Sequence, residues 1–203
     1  MKKIVLAVAL VFSGLGFAQK MEVKSGDFKF LNGVKEINVE FNYQNLKLMK
    51  ENLTDEQYVS ERVADLNEKG KGTGDIWKKK WYSSRDLIFE NKFLELVNVV
   101  LTKEKKDLSF QEDLKSAKYT LVVDAVWIYP GYNVVMAKKG AKVTTLLKFV
   151  ETANPSNVVL EITSDEAPGD VFGGSFSNED RIGEGYAKTG KSLAKFLIKK
   201  KGV

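Results

Sequence analysis

The run from Tyr119 to Tyr129 is apolar at almost every position, broken only by Thr120 and Asp124. A strand that is apolar on both parities belongs in the middle of a sheet with cover on its two faces, since a strand wet on one side alternates with polar residues. That segment obliges the rest of the chain to supply flanking strands and covering layers. Val143 to Val150 and Val158 to Ile162 read as two further strands, and Asn154-Pro155-Ser156-Asn157 between them is turn chemistry for a hairpin. From Val34 to Tyr43, Ile37, Val39, Phe41 and Tyr43 alternate with polar residues as in a half-buried strand. Leu46 and Leu48 continue on the other parity, as after a bulge.

Between the first strand and the other three the period changes from two to that of a helix. Thr54-Asp55-Glu56-Gln57 is a capping box, followed by Tyr58, Val59, Val63 and Leu66 at helical spacing and closed by Gly70 to Gly74. A longer helix is expected from Asp75 towards Leu101, with a stripe of Trp77, Trp81, Leu87 or Ile88, Leu94, Val97 and Leu101. A final helix begins near Ser177, has Glu179 and Asp180 in its first turn, buries Ile182, Tyr186, Leu193 and Leu197, and ends in lysines that suit the C-terminal dipole. The fold class expected is α+β: a mixed sheet of four or more strands, helices packed mainly on one face, order β-α-α-β-β-β-α. With three prolines, no internal repeat and no linker composition, residues 19–203 read as one domain.

The N-terminus carries the clearest targeting signal. Lys2 and Lys3 precede an apolar run from Ile4 to Leu15, and Gly16 and Ala18 are small residues at the −3 and −1 positions of a cleavage site. Residues 1–18 are read as a signal peptide cleaved after Ala18. The run is shorter than the roughly 20 residues needed to span a bilayer, and no transmembrane segment is expected in the mature chain. The expected location is outside the cytoplasm, periplasmic or secreted.

Two zeros in the composition remove most familiar chemistry. The chain has no Cys and no His, which excludes a disulfide frame, thiol nucleophiles, Ser-His-Asp triads, His- or Cys-ligated metals and a lipid anchor at Cys. No cofactor is called for by the residues that remain. Only three of the 32 basic residues are Arg, although bidentate reading of phosphates and bases favours Arg, so nucleic acid is not an expected partner. Trp77-Lys78-Lys79-Lys80-Trp81 reads as an indole pair buried beneath a solvated lysine face.

Four groups of residues remain as site candidates. Gly185-Tyr186-Ala187-Lys188-Thr189-Gly190-Lys191-Ser192 satisfies the Walker A spacing. The segment before it is polar and acidic where a P-loop needs a buried strand, so Gly185, Gly190, Lys191 and Ser192 are read as helix. Asp165, Glu166 and Asp170, on a stretch with several glycines, are hard oxygen ligands that would suit calcium; a solvated turn is the simpler account. Asp124, in an apolar strand, is the candidate catalytic carboxyl, set against a structural aspartate bonded to a nearby Lys or Tyr. Trp127, Tyr129 and Tyr132 form a candidate ligand platform at the end of the same strand.

The order of elements resembles the small α+β domains of exported envelope proteins, such as the amino-terminal domain of TolB and the periplasmic domain of the curli secretion lipoprotein. The likeness is carried by Ala117-Lys118-Tyr119-Thr120-Leu121-Val122-Val123 at the start of the central strand and Arg181-Ile182-Gly183-Glu184-Gly185-Tyr186 at the start of the last helix. The resemblance implies a non-enzymatic module for binding or envelope assembly, with another envelope protein or a surface polymer as partner. The missing acylated Cys sets the chain apart from the lipoproteins, and no functional residue is carried over. The rival expectation is a His-free carboxylate enzyme acting on glycans. A close pair of carboxylates in a cleft favours that enzyme; an exposed apolar patch or an unpaired sheet edge favours the module.

Overall fold

The computed structural model describes residues 19–134, 137–169 and 177–200. The expected signal peptide, residues 1–18, lies outside them. Strands β1 (Lys20–Gly26), β2 (Glu36–Asn42), β3 (Lys47–Leu48) and β4 (Leu53–Thr54) lead into helices α1 (Asp55–Lys69) and α2 (Thr73–Ser84). A π-helical turn (Arg85–Glu90) then joins α2 to α3 (Asn91–Lys103). After β5 (Ser109–Gln111) come the central strand β6 (Tyr119–Tyr129), a small hairpin of β7 (Tyr132–Val134) and β8 (Ala137–Lys139), the long strands β9 (Ala141–Glu151) and β10 (Asn154–Gly169), and α4 (Asn178–Lys199).

The main sheet has eight strands in the order β1-β10-β9-β6-β2-β5, with β3 beside β6 beyond the end of β2 and β4 beside β3. Pairings of β2 with β5 and β6, and of β3 with β6, are parallel, while those among β6, β9, β10 and β1 are antiparallel. The sheet is mixed and the class α+β, as the periodicity predicts. Three features escaped the sequence pattern. β1 alternates Met21 and Val23 with charged residues, as a solvated edge strand does, and β3, β4 and β5 are too short to show a period. The hairpin reverses at Thr152–Ala153 instead of at Pro155: Asn154 already faces Glu151, and a register shift between Asn154 and Val158 accommodates the proline.

One face of the sheet is the core. Ile37, Leu121, Val143, Leu147, Phe149 and Ile162 point into it and meet Phe93, Val97 and Leu101 of α3 and Ile182, Tyr186, Leu193 and Leu197 of α4, all fully buried. The close approach of α4 depends on glycines. A Cβ at Gly185 would lie 2.5 Å from Val143 Cγ2, and one at Gly190 2.3 Å from the Phe93 carbonyl oxygen of α3. The capping box at α1 is complete: the Gln57 amide N–H donates to Thr54 Oγ1 at 3.2 Å, and the Thr54 N–H donates to Gln57 Oε1 at 2.9 Å.

The opposite face departs from the expectation of cover on both sides of the central strand. Its β6 residues Val122 and Asp124 are half-buried, and Val126 is 40 % exposed. Valine suits a pleated, half-wet surface as well as a dry one, so two apolar parities do not guarantee two covering layers.

Candidate functional site

A β-bulge between Ala125 and Trp127 reshapes the helix-free face. The extra residue shifts the parity of β6, so that Val126, Trp127 and Tyr129 border the same surface while Ile128 is buried in the core. Trp127 and Tyr129 stack with ring centroids 6.3 Å apart and planes at 16°. The indole N–H donates to the Met49 carbonyl at 2.7 Å, which locks the ring against the chain beyond β3. Lys139 Nζ lies 4.9 Å from the Tyr129 ring centroid, and Lys142 pairs with Glu166 at 2.5 Å. With Lys50 and Asn52 these side chains line a cleft of about 350 Å³. The structure brings Trp127 and Tyr129 together. Tyr132 stands apart, 42 % exposed on the β7–β8 hairpin.

The other candidates fall as follows. Asp124 accepts a hydrogen bond from Asn42 Nδ2 at 2.6 Å and pairs with Lys148 at 2.5 Å. Asp165 and Glu166 lie on β10, and Asp170 is outside the described residues. Among the described residues no group of three acidic side chains converges as a cation site. The Walker-like string is continuous helix: Gly185, Gly190, Lys191 and Ser192 lie within α4, and the Gly185 carbonyl accepts from Thr189 Oγ1 at 2.9 Å. Trp81 is 1 % exposed and stacks on Trp77 at 5.6 Å beneath exposed Lys78, Lys79 and Lys80.

A second concavity, of about 570 Å³, opens where β2, the π turn and the segment after β5 meet. The sequence pattern did not mark it. Glu90, 9 % exposed, lines it together with Glu112. Burial, reinforced by Glu112 and Asp86, pushes the Glu90 carboxyl up to about 7. Burial and Asp113 raise Glu112 as well. The Tyr43 hydroxyl faces Glu90 on one side and the Tyr186 hydroxyl on the other, and burial lifts both phenols well above their usual range. Tyr186, Tyr43, Glu90 and Glu112 lie within hydrogen-bonding reach of one another in that order. Arg85 closes one side, its guanidinium 4.5 Å above the Tyr43 ring and bonded to Asp55 at 2.6 Å; Asp55 in turn accepts from Trp81 Nε1 at 3.0 Å.

The π turn is what brings this set together. Its wider winding places Arg85 and Glu90 on the β2 side, and Asn91 Nδ2 donates to the Asp86 and Leu87 carbonyls at 2.9 and 3.3 Å, serving groups that the wider turn frees. A trace of it is present in the sequence. The stripe of half-buried Trp77 and buried Trp81, Phe89, Phe93, Val97 and Leu101 keeps to multiples of four, lagging an ideal helix by about 0.4 residue per turn. The widened turn takes up about one residue of that lag.

No helix among the described residues is long and apolar enough to cross a membrane. No protein-family model matches the chain, and no curated protein matches it. Among solved structures it is similar to the PelC dodecamer from Paraburkholderia phytofirmans, at 11 % identity and a TM-score of 0.39, over 89 % of this chain and 96 % of that one. A methionine-for-leucine variant of the same dodecamer gives 10 % identity and a TM-score of 0.40 over the same shares.

Proposed function

We propose that the chain is an exported, non-catalytic binding module of the cell envelope, and that it engages an envelope protein or surface polymer through the helix-free face of its sheet. The observation that carries this reading is the stacked Trp127–Tyr129 pair. It is a rigid aromatic platform, flanked by Lys50, Lys139 and Lys142, on a sheet surface that none of the described helices covers. Aromatic rings held in place supply contact area at little entropic cost, and lysines at the rim favour partners that carry negative charge. Affinity electrophoresis of the mature protein through gels containing surface polysaccharide, with co-sedimentation on envelope fragments for a protein partner, tests the reading. Tyr129→Ala, which leaves the core untouched, is expected to weaken retention at least about tenfold. Equal retention of the variant would contradict the proposed face.

A second reading has its own observation. Glu90 and Glu112 are neighbouring carboxyls at one cleft, and a carboxylate enzyme acting on glycans works with a pair of carboxyls. Turnover of a polysaccharide that is lost in Glu112→Gln would replace the binding module with that enzyme.

A further inference from the structure

The aromatic platform lies in a longer groove whose floor is set by strand register. Trp127 pairs with Lys47 of β3 on one side and with Thr144 of β9 on the other, and Tyr129 pairs with Lys142. Residues paired across strands share a face of the sheet, so two rows bring rings and polar side chains together on the helix-free side. The turn from β3 to β4 adds Lys50 and Asn52. Beside the cleft of about 350 Å³ at Tyr129 lies a second hollow of about 440 Å³ against Val126 and Thr144, and Asn52, Trp127 and Glu166 line both. The groove therefore continues past the indole on both sides.

Its charge is lopsided. Lys47, Lys50, Lys139 and Lys142 face Asp165 and Glu166, and Glu166 is already paired with Lys142. No ion pair among the described residues reaches Lys47, Lys50 or Lys139, and Lys139 rests on the Tyr129 ring. We infer, resting on the reading of the helix-free face as the binding surface, that the groove holds an acidic polysaccharide, its sugar rings against Trp127 and Tyr129 and its anionic groups at the unpaired lysines. The nearly parallel rings, with the indole tied to the Met49 carbonyl, keep an apolar surface in place for the C–H face of a pyranose. Asn52 and the Thr144 hydroxyl serve sugar hydroxyls. A protein partner is anchored by apolar side chains in desolvated pockets, whereas Val126 is the single aliphatic residue lining the two hollows. Phosphate-rich partners favour the guanidinium fork, and no Arg lines the groove. An extended chain occupies both hollows at once.

Titration calorimetry of the mature protein tests the inference with oligogalacturonate and sulfated dextran, which carry carboxylate and sulfate respectively. Neutral dextran supplies the sugar without charge, and polyglutamate the charge without sugar. At least one acidic glycan is expected to bind about tenfold or more tightly than either control. The double variant Lys50→Gln, Lys139→Gln, changed at two exposed positions, should weaken that binding at least about tenfold and reduce its salt dependence. Lys195→Gln, exposed on α4, should leave it unchanged. Tyr129→Ala should weaken glycan binding without altering the response to polyglutamate. Equal affinity for polyglutamate or neutral dextran, or full affinity in the double variant, would overturn the inference. If no acidic glycan binds but a photoreactive residue at Val126 still captures an envelope protein, the acidic polysaccharide is ruled out and the binding face stands; if neither occurs, both fall.

Discussion

Two acidic residues do opposite things in this protein. Asp124 looked chemically promising because it interrupts an apolar strand, yet Lys148 and Asn42 neutralise and fix it. Glu90, inside a helical segment and unremarkable in sequence, ends nearly buried against Tyr43 and Glu112. Charge partners come from strand register and helix winding, which a linear pattern does not display. The consequence for stability has a definite sign. The folded state holds the Glu90 proton up to about pH 7, against an ordinary value of 4.5. Its contribution to stability is therefore complete below 4.5 and is lost as pH rises through about 7. Urea unfolding between pH 4.5 and 8 should show stability declining across that window, and Glu90→Gln should flatten this part of the curve. An unchanged slope in the variant would mean that Glu90 is not the group that titrates.

At the scale of elements, the strands and helices that were legible in the sequence are those with long periods. The capping box at Thr54, the alternation in β2, the double apolar parity of β6 and the amphipathic stripe of α4 all appear where the pattern places them. Short strands and the turn at Thr152–Ala153 were not legible, and the π turn left only a trace, because each is set by pairing or packing with a distant segment. The glycines of α4 belong to the same class. Their spacing imitates a phosphate-binding loop, but the reason for Gly190 is the Phe93 carbonyl of α3. Backbone cannot retreat as a flexible side chain does, so Gly190→Ala should cost about 1–3 kcal/mol in unfolding free energy by separating α3 from α4. Lys191→Ala, exposed on the same helix, should cost almost nothing. The reverse ranking would revive a functional role for the G-K-S string.

The whole molecule is two-sided: helices bury one face of the sheet, and the other keeps Val126, Trp127 and Tyr129 at its surface. The candidate platform was half legible. Trp127 and Tyr129 were marked by aromatic content, whereas the bulge that places them beside Val126, and the lysines around them, follow from the pairing of β6 with β9 and β3. The acidic cleft lies elsewhere, at the meeting of β2, the π turn and the segment after β5. The central claim is that the helix-free face is where the partner sits, and site-specific photo-cross-linking in the native envelope tests it most directly. A photoreactive residue at Val126 should give a discrete adduct with an envelope protein or polymer, while one at Ile76, 72 % exposed on α2, should give none. Adducts from position 76 with none from position 126 would contradict the account.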